Sequence, residues 1–142
     1  MGIDIRETQE EDYEEISALL VELNLVDSDF TEEKFIKMLK RNKGFCYVAE
    51  KNKKIVGSAF ATHDGAFRAY IRKMAVANDY RRQGIASKLV KEIMKKLAEA
   101  EIPVVFARVG KSNDPSIKLF TTLSFNCKDS QYIMDINTNR SE

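Results

Sequence analysis

Histidine occurs once and cysteine twice in these 142 residues. That scarcity excludes a His-rich metal centre, a zinc site and a disulfide framework. Proline (two residues) and glycine (six) are equally sparse, so neither a collagen-like fibre nor a low-complexity disordered chain fits. No internal repeat and no linker breaks the chain. No apolar run approaches the roughly 18 residues that span a bilayer, so no membrane partner is expected. The opening Met1-Gly2-Ile3-Asp4-Ile5-Arg6 lacks the basic-then-apolar order of a signal peptide. Position six is Arg, not the Ser or Thr of a myristoylation site. What is present is a 44% hydrophobic composition, enough for one core. The expectation is a single domain over residues 1–142, core about 3–136, in the cytoplasm.

Charge balances overall, at +1, but not locally. Residues 1–33 hold twelve acids against Arg6 alone, and residues 68–96 hold nine bases against Asp79 and Glu92. A basic middle favours a phosphate-bearing partner and an acidic beginning favours a cationic one. Helix starts also favour Asp and Glu for local reasons.

The patterning predicts a short strand at 3–6. Thr8 with Glu11 reads as a capping box, ahead of Ile16, Leu19, Leu20 and Leu23 at helical spacing. A second helix, starting near Asp29 or Thr31, carries Phe35, Ile36 and Leu39 and ends at Gly44. Strands follow at 45–50 and 55–62, joined by a Lys-Asn-Lys-Lys turn. Asp64-Gly65 is a hairpin signal that opens a long strand over 66–76. In that strand Phe67, Ala69 and Ile71 share one face, whereas alternation puts apolar Met74 and Val76 on the other. A bulge near Arg72-Lys73 resolves the conflict. Ile85, Leu89, Ile93 and Leu97 then recur every four residues, an amphipathic helix to about Ala100. A buried strand at 104–109, a helix at 113–123 and a closing strand at 131–136 complete an α/β chain.

The stretch from Met74 to Ser87 joins a strand to a helix. The first turn of a helix leaves backbone N–H groups unpaired at its positive end, which suits an anion. Gly84 lets a phosphate approach the backbone, and small Ala86 and Ser87 keep the next turn open. Arg81 and Arg82 add charge, and the Ser87 hydroxyl can donate. A pyrophosphate fits this turn.

The pattern Arg81-x-x-Gly84-x-Ala86, after a strand ending Met74-x-Val76, resembles the acetyl-CoA signature of the GNAT superfamily of N-acyltransferases. Its setting, a βααβββ lead-in with an amphipathic helix after it, fits too. Asn113-x-x-Ser116-x-x-Leu119-Phe120-x-x-Leu123-Ser124-Phe125 resembles the family's second cofactor segment. The resemblance covers residues 3–136. It implies a mixed, mostly antiparallel sheet with strands 4 and 5 splayed, flanked by about four helices. It further implies that acetyl-CoA inserts its pantetheine between those strands, along Met74, Ala75 and Val76. The pyrophosphate then lies on Arg81, Arg82, Gln83, Gly84, Ile85, Ala86 and Ser87, and Asn113 and Ser116 complete the site. An amine, on a small molecule or a protein, attacks the thioester directly, so neither Cys46 nor Cys127 is needed as nucleophile. The acidic N-terminal helices border the acceptor in this architecture, which implies a cationic amine. Homodimers are common in the family.

Two positions depart from the pattern. Phe120 stands where the family usually has the Tyr that protonates the leaving thiolate, with Tyr70 and Tyr132 as possible replacements, and Ser124 stands where Gly is usual. The fourth strand has no Asp or Glu between Ala66 and Val76, where the family commonly finds its base. His63, the one imidazole, reads mainly as a turn residue. No catalytic base is assigned. Gly110-Lys111-Ser112 imitates a P-loop, but Val105 occupies the required first glycine. The basic middle lacks the interleaved aromatics of a nucleic-acid surface, so no nucleic acid is expected. The remaining rival is a module of the same fold that binds acyl-CoA without transferring the acyl group.

Overall fold

The computed structural model describes residues 2–25, 27–128 and 130–138. Its contacts divide the chain into two compact units, Met1–Gly110 and Lys111–Glu142.

The first unit is built on a five-stranded sheet. Strand β1 (Asp4–Glu7) is followed by helices α1 (Tyr13–Glu22) and α2 (Glu32–Arg41), then by strands β2 (Cys46–Lys51), β3 (Lys54–His63) and β4 (Arg68–Val76). Helix α3 (Ile85–Glu99) crosses to β5 (Val104–Ala107). The spatial order is β1-β2-β3-β4-β5. The first three joints are antiparallel and β4 with β5 is parallel, as a helical crossover requires. The mixed, mostly antiparallel sheet expected from the sequence is therefore present. Among the described residues the α-helices are α1, α2, α3 and, in the second unit, α4 (Asp114–Thr122).

Both faces of the sheet are covered. On one, Phe60 of β3 meets Phe35 of α2 at 6.0 Å between ring centroids, and Ile16, Leu19 and Leu20 of α1 are buried. On the other, α3 buries Ile85, Leu89, Ile93 and Leu97, the four-residue repeat read from the sequence. Gly57 admits this helix: a Cβ there would lie 3.1 Å from the Ile85 side chain and 3.2 Å from the Ala75 carbonyl.

The bulge expected near Arg72-Lys73 is observed. Ser58 pairs with Ala75 but Phe60 pairs with Arg72, so Lys73 and Met74 together oppose Ala59. Lys73 takes φ of 53°, a left-handed conformation costing a non-glycine residue about 1–2 kcal/mol. The buried Ser58 hydroxyl donates to its carbonyl at 2.7 Å. Because of the extra residue, Val76 returns to the face of Ile71.

Four expectations need correction. The cap of the first helical turn lies one residue later than Thr8 and Glu11: Gln9 N–H donates to Asp12 Oδ2 at 2.8 Å. Thr8 N–H is taken by the Cys46 carbonyl, and its buried hydroxyl has no partner among the described residues. Strand β4 begins at Arg68, not at 66, because the Asp64 carboxylate accepts from the N–H groups of Ala66, Phe67 and Arg68 and holds them in a turn. Phe67 is consequently exposed instead of sharing the Ala69 and Ile71 face. Strand β5 stops at Ala107, not at 109. Residues 131–136 form no strand, and Tyr132, Ile133, Met134 and Ile136 are exposed. Alternation marks such a segment as able to pair, but it becomes a strand only beside a partner.

No helix among the described residues is long and apolar enough to cross a membrane. No cluster of three or more His, Cys, Asp or Glu among them could hold a metal.

Candidate functional site

Strand β4 is shared between two neighbours. Its ladder with β5 runs from Arg68 opposite Val104 to Ile71 opposite Ala107 and then stops. Beyond Ile71 the edge of β4 toward β5 is open while its other edge remains paired with β3. Ala77 N–H donates to the Val56 carbonyl at 2.8 Å. By strand alternation Ala75 then faces β3, and the backbone groups of Met74 and Val76 face the open edge. Of the three residues expected along this edge, Ala75 is the one turned into the sheet. The Val76 carbonyl is met by Arg81 Nε at 3.4 Å. The fork of strands 4 and 5 thus lies at Arg72, with the bulge directly after it.

The turn from β4 into α3 forms the second part. Arg82 has φ of 64° and Gly84 φ of 77°, so Gly84 supplies the left-handed step from which α3 starts. A Cβ on Gly84 would meet nothing within 4 Å, which leaves the backbone open to an approaching ligand. The N–H groups of Gly84, Ile85, Ala86 and Ser87 donate to no described acceptor. Arg81, Arg82 and Gln83 are exposed, and Ala86 and Ser87 are half-buried. Neither Arg81 nor Arg82 has a carboxylate within 4.0 Å among the described residues. Ile85 is buried against the sheet, so it anchors the turn through its side chain and offers only its N–H. Free N–H groups, a helix start and two unneutralised guanidiniums make an anion-accepting turn.

In the second unit, Asn113 caps α4, its side-chain oxygen accepting from Ser116 N–H at 3.2 Å. Phe120 is buried and packs edge-on against Phe125 at 4.9 Å.

Of the twelve carboxylates in residues 1–33, five are engaged among the described residues: those of Glu7, Asp12, Glu15, Asp27 and Asp29. Arg6 binds Asp12 at 2.9 Å and Glu50 at 3.2 Å. Burial pushes the Asp12 carboxyl up, but the Arg6 guanidinium and Gln9 N–H outweigh it and hold it below the usual carboxylate range. Glu7 accepts from Gly44 N–H and Glu15 from Ile55 N–H, each at 2.6 Å. Asp27, on the α1–α2 connection, pairs with Lys73 at 3.5 Å. His63 is the last residue of β3, just before the turn; its Nδ1 accepts from Gly65 N–H at 3.1 Å and its ring packs edge-on to Phe45.

Sequence reasoning passed over the α2-side face of β4. Tyr70 and Arg72 pair with Thr62 and Phe60 and so project on the side where Phe60 meets α2. The Tyr70 ring stacks on Phe106 of β5 at 5.3 Å. Arg72 Cζ lies 5.3 Å from the Tyr70 ring centre and Arg68 Cζ 5.9 Å from that of Phe106. Bases and aromatics are therefore interleaved here, contrary to the sequence reading. The signal was Arg68-x-Tyr70-x-Arg72, a period of two on one strand.

The Acetyltransferase (GNAT) family model matches residues 4–125. An acetyltransferase of Sodalis glossinidius is 29% identical over 133 residues, covering 93% of each chain. One from Pectobacterium atrosepticum is 29% identical over 128 residues, covering 89% of this chain and 90% of its own. Among solved structures, Arabidopsis thaliana Naa50, in complex with the bisubstrate analogue CoA-Ac-MVNAL, superposes with a TM-score of 0.77 at 20% identity. That match covers 97% of this chain and 93% of that one. Diaminobutyrate acetyltransferase EctA from Paenibacillus lautus, in complex with L-2,4-diaminobutyric acid and coenzyme A, gives 0.75 at 22% identity over 87% and 75%. With an open-edged fourth strand, an anion-accepting turn and a family match over most of its length, the chain belongs to the GNAT acetyltransferase family.

Proposed function

We propose that the protein is an N-acetyltransferase that moves an acetyl group from acetyl-CoA to a primary amine. The observation that carries this reading is the pairing of an open β4 edge after Ile71 with four unpartnered N–H groups at the start of α3. The family match across residues 4–125 spans both compact units, which supports one catalytic domain.

The donor's pyrophosphate suits the turn from Arg81 to Ser87, where Gly84 leaves the backbone uncovered and Arg81 and Arg82 supply charge. Its pantetheine suits the edge of Met74 and Val76, whose backbone groups face outward. Asn113 and Ser116 complete the cofactor set by their match to the family's second segment. The amine attacks the thioester carbonyl; the new C–N bond forms, the C–S bond breaks and CoA leaves as thiolate. An alkylammonium of pKa near 10.4 costs about 4.6 kcal/mol to deprotonate at pH 7, and β4 offers no carboxylate to help. A water chain is the remaining proton path that needs no side chain on this strand. The thiolate, of pKa about 8.5, leaves unprotonated at a cost of about 2 kcal/mol, which makes Phe120 tolerable. The acidic surface of residues 1–33 supports an acceptor that is cationic through its amine.

Thermal unfolding with and without acetyl-CoA tests the reading. Ligand at 100 times its Kd should stabilise by about 2.7 kcal/mol, a shift of several degrees, and Gly84→Val should abolish most of it. No shift at millimolar acetyl-CoA refutes the acyltransferase reading. The second reading, an acyl-CoA-binding module without transfer, rests on Phe120 and the carboxylate-free β4. A stabilising shift without CoA release across an amine panel would establish it.

A further inference from the structure

We propose that the acceptor is an amine that also carries a carboxylate, and that Arg72 is the residue that binds it. The proposal rests on the acetyltransferase reading and names the substrate class of the same site.

Arg72 is the first residue of β4 beyond its last pairing with β5, so it stands at the point of the fork, on the face of the sheet that α2 shares. Its guanidinium is held from two directions. Nε donates to Thr62 Oγ1 at 3.0 Å, and the plane lies beside the Tyr70 ring, which is itself stacked on Phe106. This leaves the two terminal NH2 groups of a pre-oriented guanidinium without a carboxylate among the described residues. The neighbouring charges do not cancel it. Lys73 is spent on Asp27 and lies 5.3 Å from the Phe30 ring centre. Arg68, at the far end of the same ladder, adds a second positive charge.

A planar cation held by its Nε and one face, with its outer edge free, matches a carboxylate in bidentate fashion. The phosphates of CoA are the other source of negative charge. Four residues of strand, about 13 Å, separate Arg72 from Val76, and the anion-accepting turn lies beyond that. Arg81 and Arg82 are the guanidiniums at the phosphate end. A carboxylate at Arg72 would place the acceptor's amine near the bulge, where β4 is open to the donor.

The test measures acetyl-CoA-dependent CoA release with amino acids and dipeptides, each beside its C-terminal amide and, for amino acids, its decarboxylated amine. Preference for the carboxylate form by tenfold or more in kcat/KM is expected. Arg72→Gln should raise the KM for that acceptor roughly 10–100-fold, the worth of a charge-assisted pair. It should leave the KM for acetyl-CoA and for the amide form unchanged, with partial recovery in Arg72→Lys. Equal or better use of amides and plain amines overturns the proposal. So does the absence of turnover with every carboxylate-bearing amine in a protein that acetyl-CoA stabilises. A rise in the KM for acetyl-CoA alone assigns Arg72 to the donor and overturns it too. If acetyl-CoA fails to stabilise the protein, the acetyltransferase reading itself is what has failed.

Discussion

Replacing Ser58 by alanine removes one hydroxyl from a side chain that is fully buried and touches the fork only through the backbone. Its single hydrogen bond, 2.7 Å to the Lys73 carbonyl, holds the bulge at a residue whose φ is 53°. Without it, a half-buried carbonyl loses its protein partner, which costs about 1–3 kcal/mol. At about 2–4 °C per kcal/mol for a chain of this size, Ser58→Ala should lower Tm by about 2–12 °C in a circular-dichroism melt. Adding Lys73→Gly in the same background should return about 1 kcal/mol, because glycine accepts the left-handed conformation without penalty. The lost Lys73–Asp27 pair is half-exposed and worth less than that. A change in Tm of under 1 °C for Ser58→Ala, or further destabilisation by Lys73→Gly, would refute the view that this hydroxyl secures the bulge.

Two further outcomes follow from charge and burial. Because the Asp12 carboxyl is held below its unfolded value near 3.9, its contribution is complete above that pH and is lost as pH falls through the folded value. The urea midpoint of wild type should therefore exceed that of Asp12→Asn at pH 6, and the gap should close on acidification toward pH 2.5; a constant gap contradicts the assignment. Burial pushes the Cys46 thiol up to about 12, and the side chain packs against Met38, whereas Cys127 is exposed. A chromogenic disulfide reagent at pH 8 should titrate one thiol in the native protein and two after unfolding. Rapid modification of both in the native state would contradict this.

Much of this architecture was legible because it depends on local periodicity. The four-residue repeat from Ile85 to Leu97 fixes both the helix and the face it buries. Gly84 betrays the turn because a left-handed step ahead of a helix favours glycine. The bulge was legible for a different reason: apolar residues at Ile71 and at both Met74 and Val76 cannot all obey one alternation. What escaped depends on partners distant in sequence. The segment 131–136 alternates like a strand, yet pairing is decided by what lies beside it. The Thr8 cap was displaced because Arg6 recruits Asp12, a choice made jointly with Glu50 forty-four residues away. The stack of Arg68, Phe106, Tyr70 and Arg72 requires the β4–β5 register, which no local pattern specifies. The same limit hid which acidic N-terminal residues are engaged: Glu7 and Glu15 are bound to backbone N–H groups, Asp12 to Arg6 and Asp27 to Lys73.

The short β4–β5 ladder has a consequence for how long the molecule survives in a cell. A sheet that stops pairing halfway along an interior strand carries backbone groups whose bonds can be completed by something other than the chain. Whatever molecule completes them favours the folded form by mass action, without affinity for the unfolded one. Proteolysis draws on the opened population, so the protein's lifetime becomes a readout of how much of that molecule is present. On the proposed reading of the fork as the acetyl-CoA site, the abundance of the protein is thereby tied to the supply of that donor.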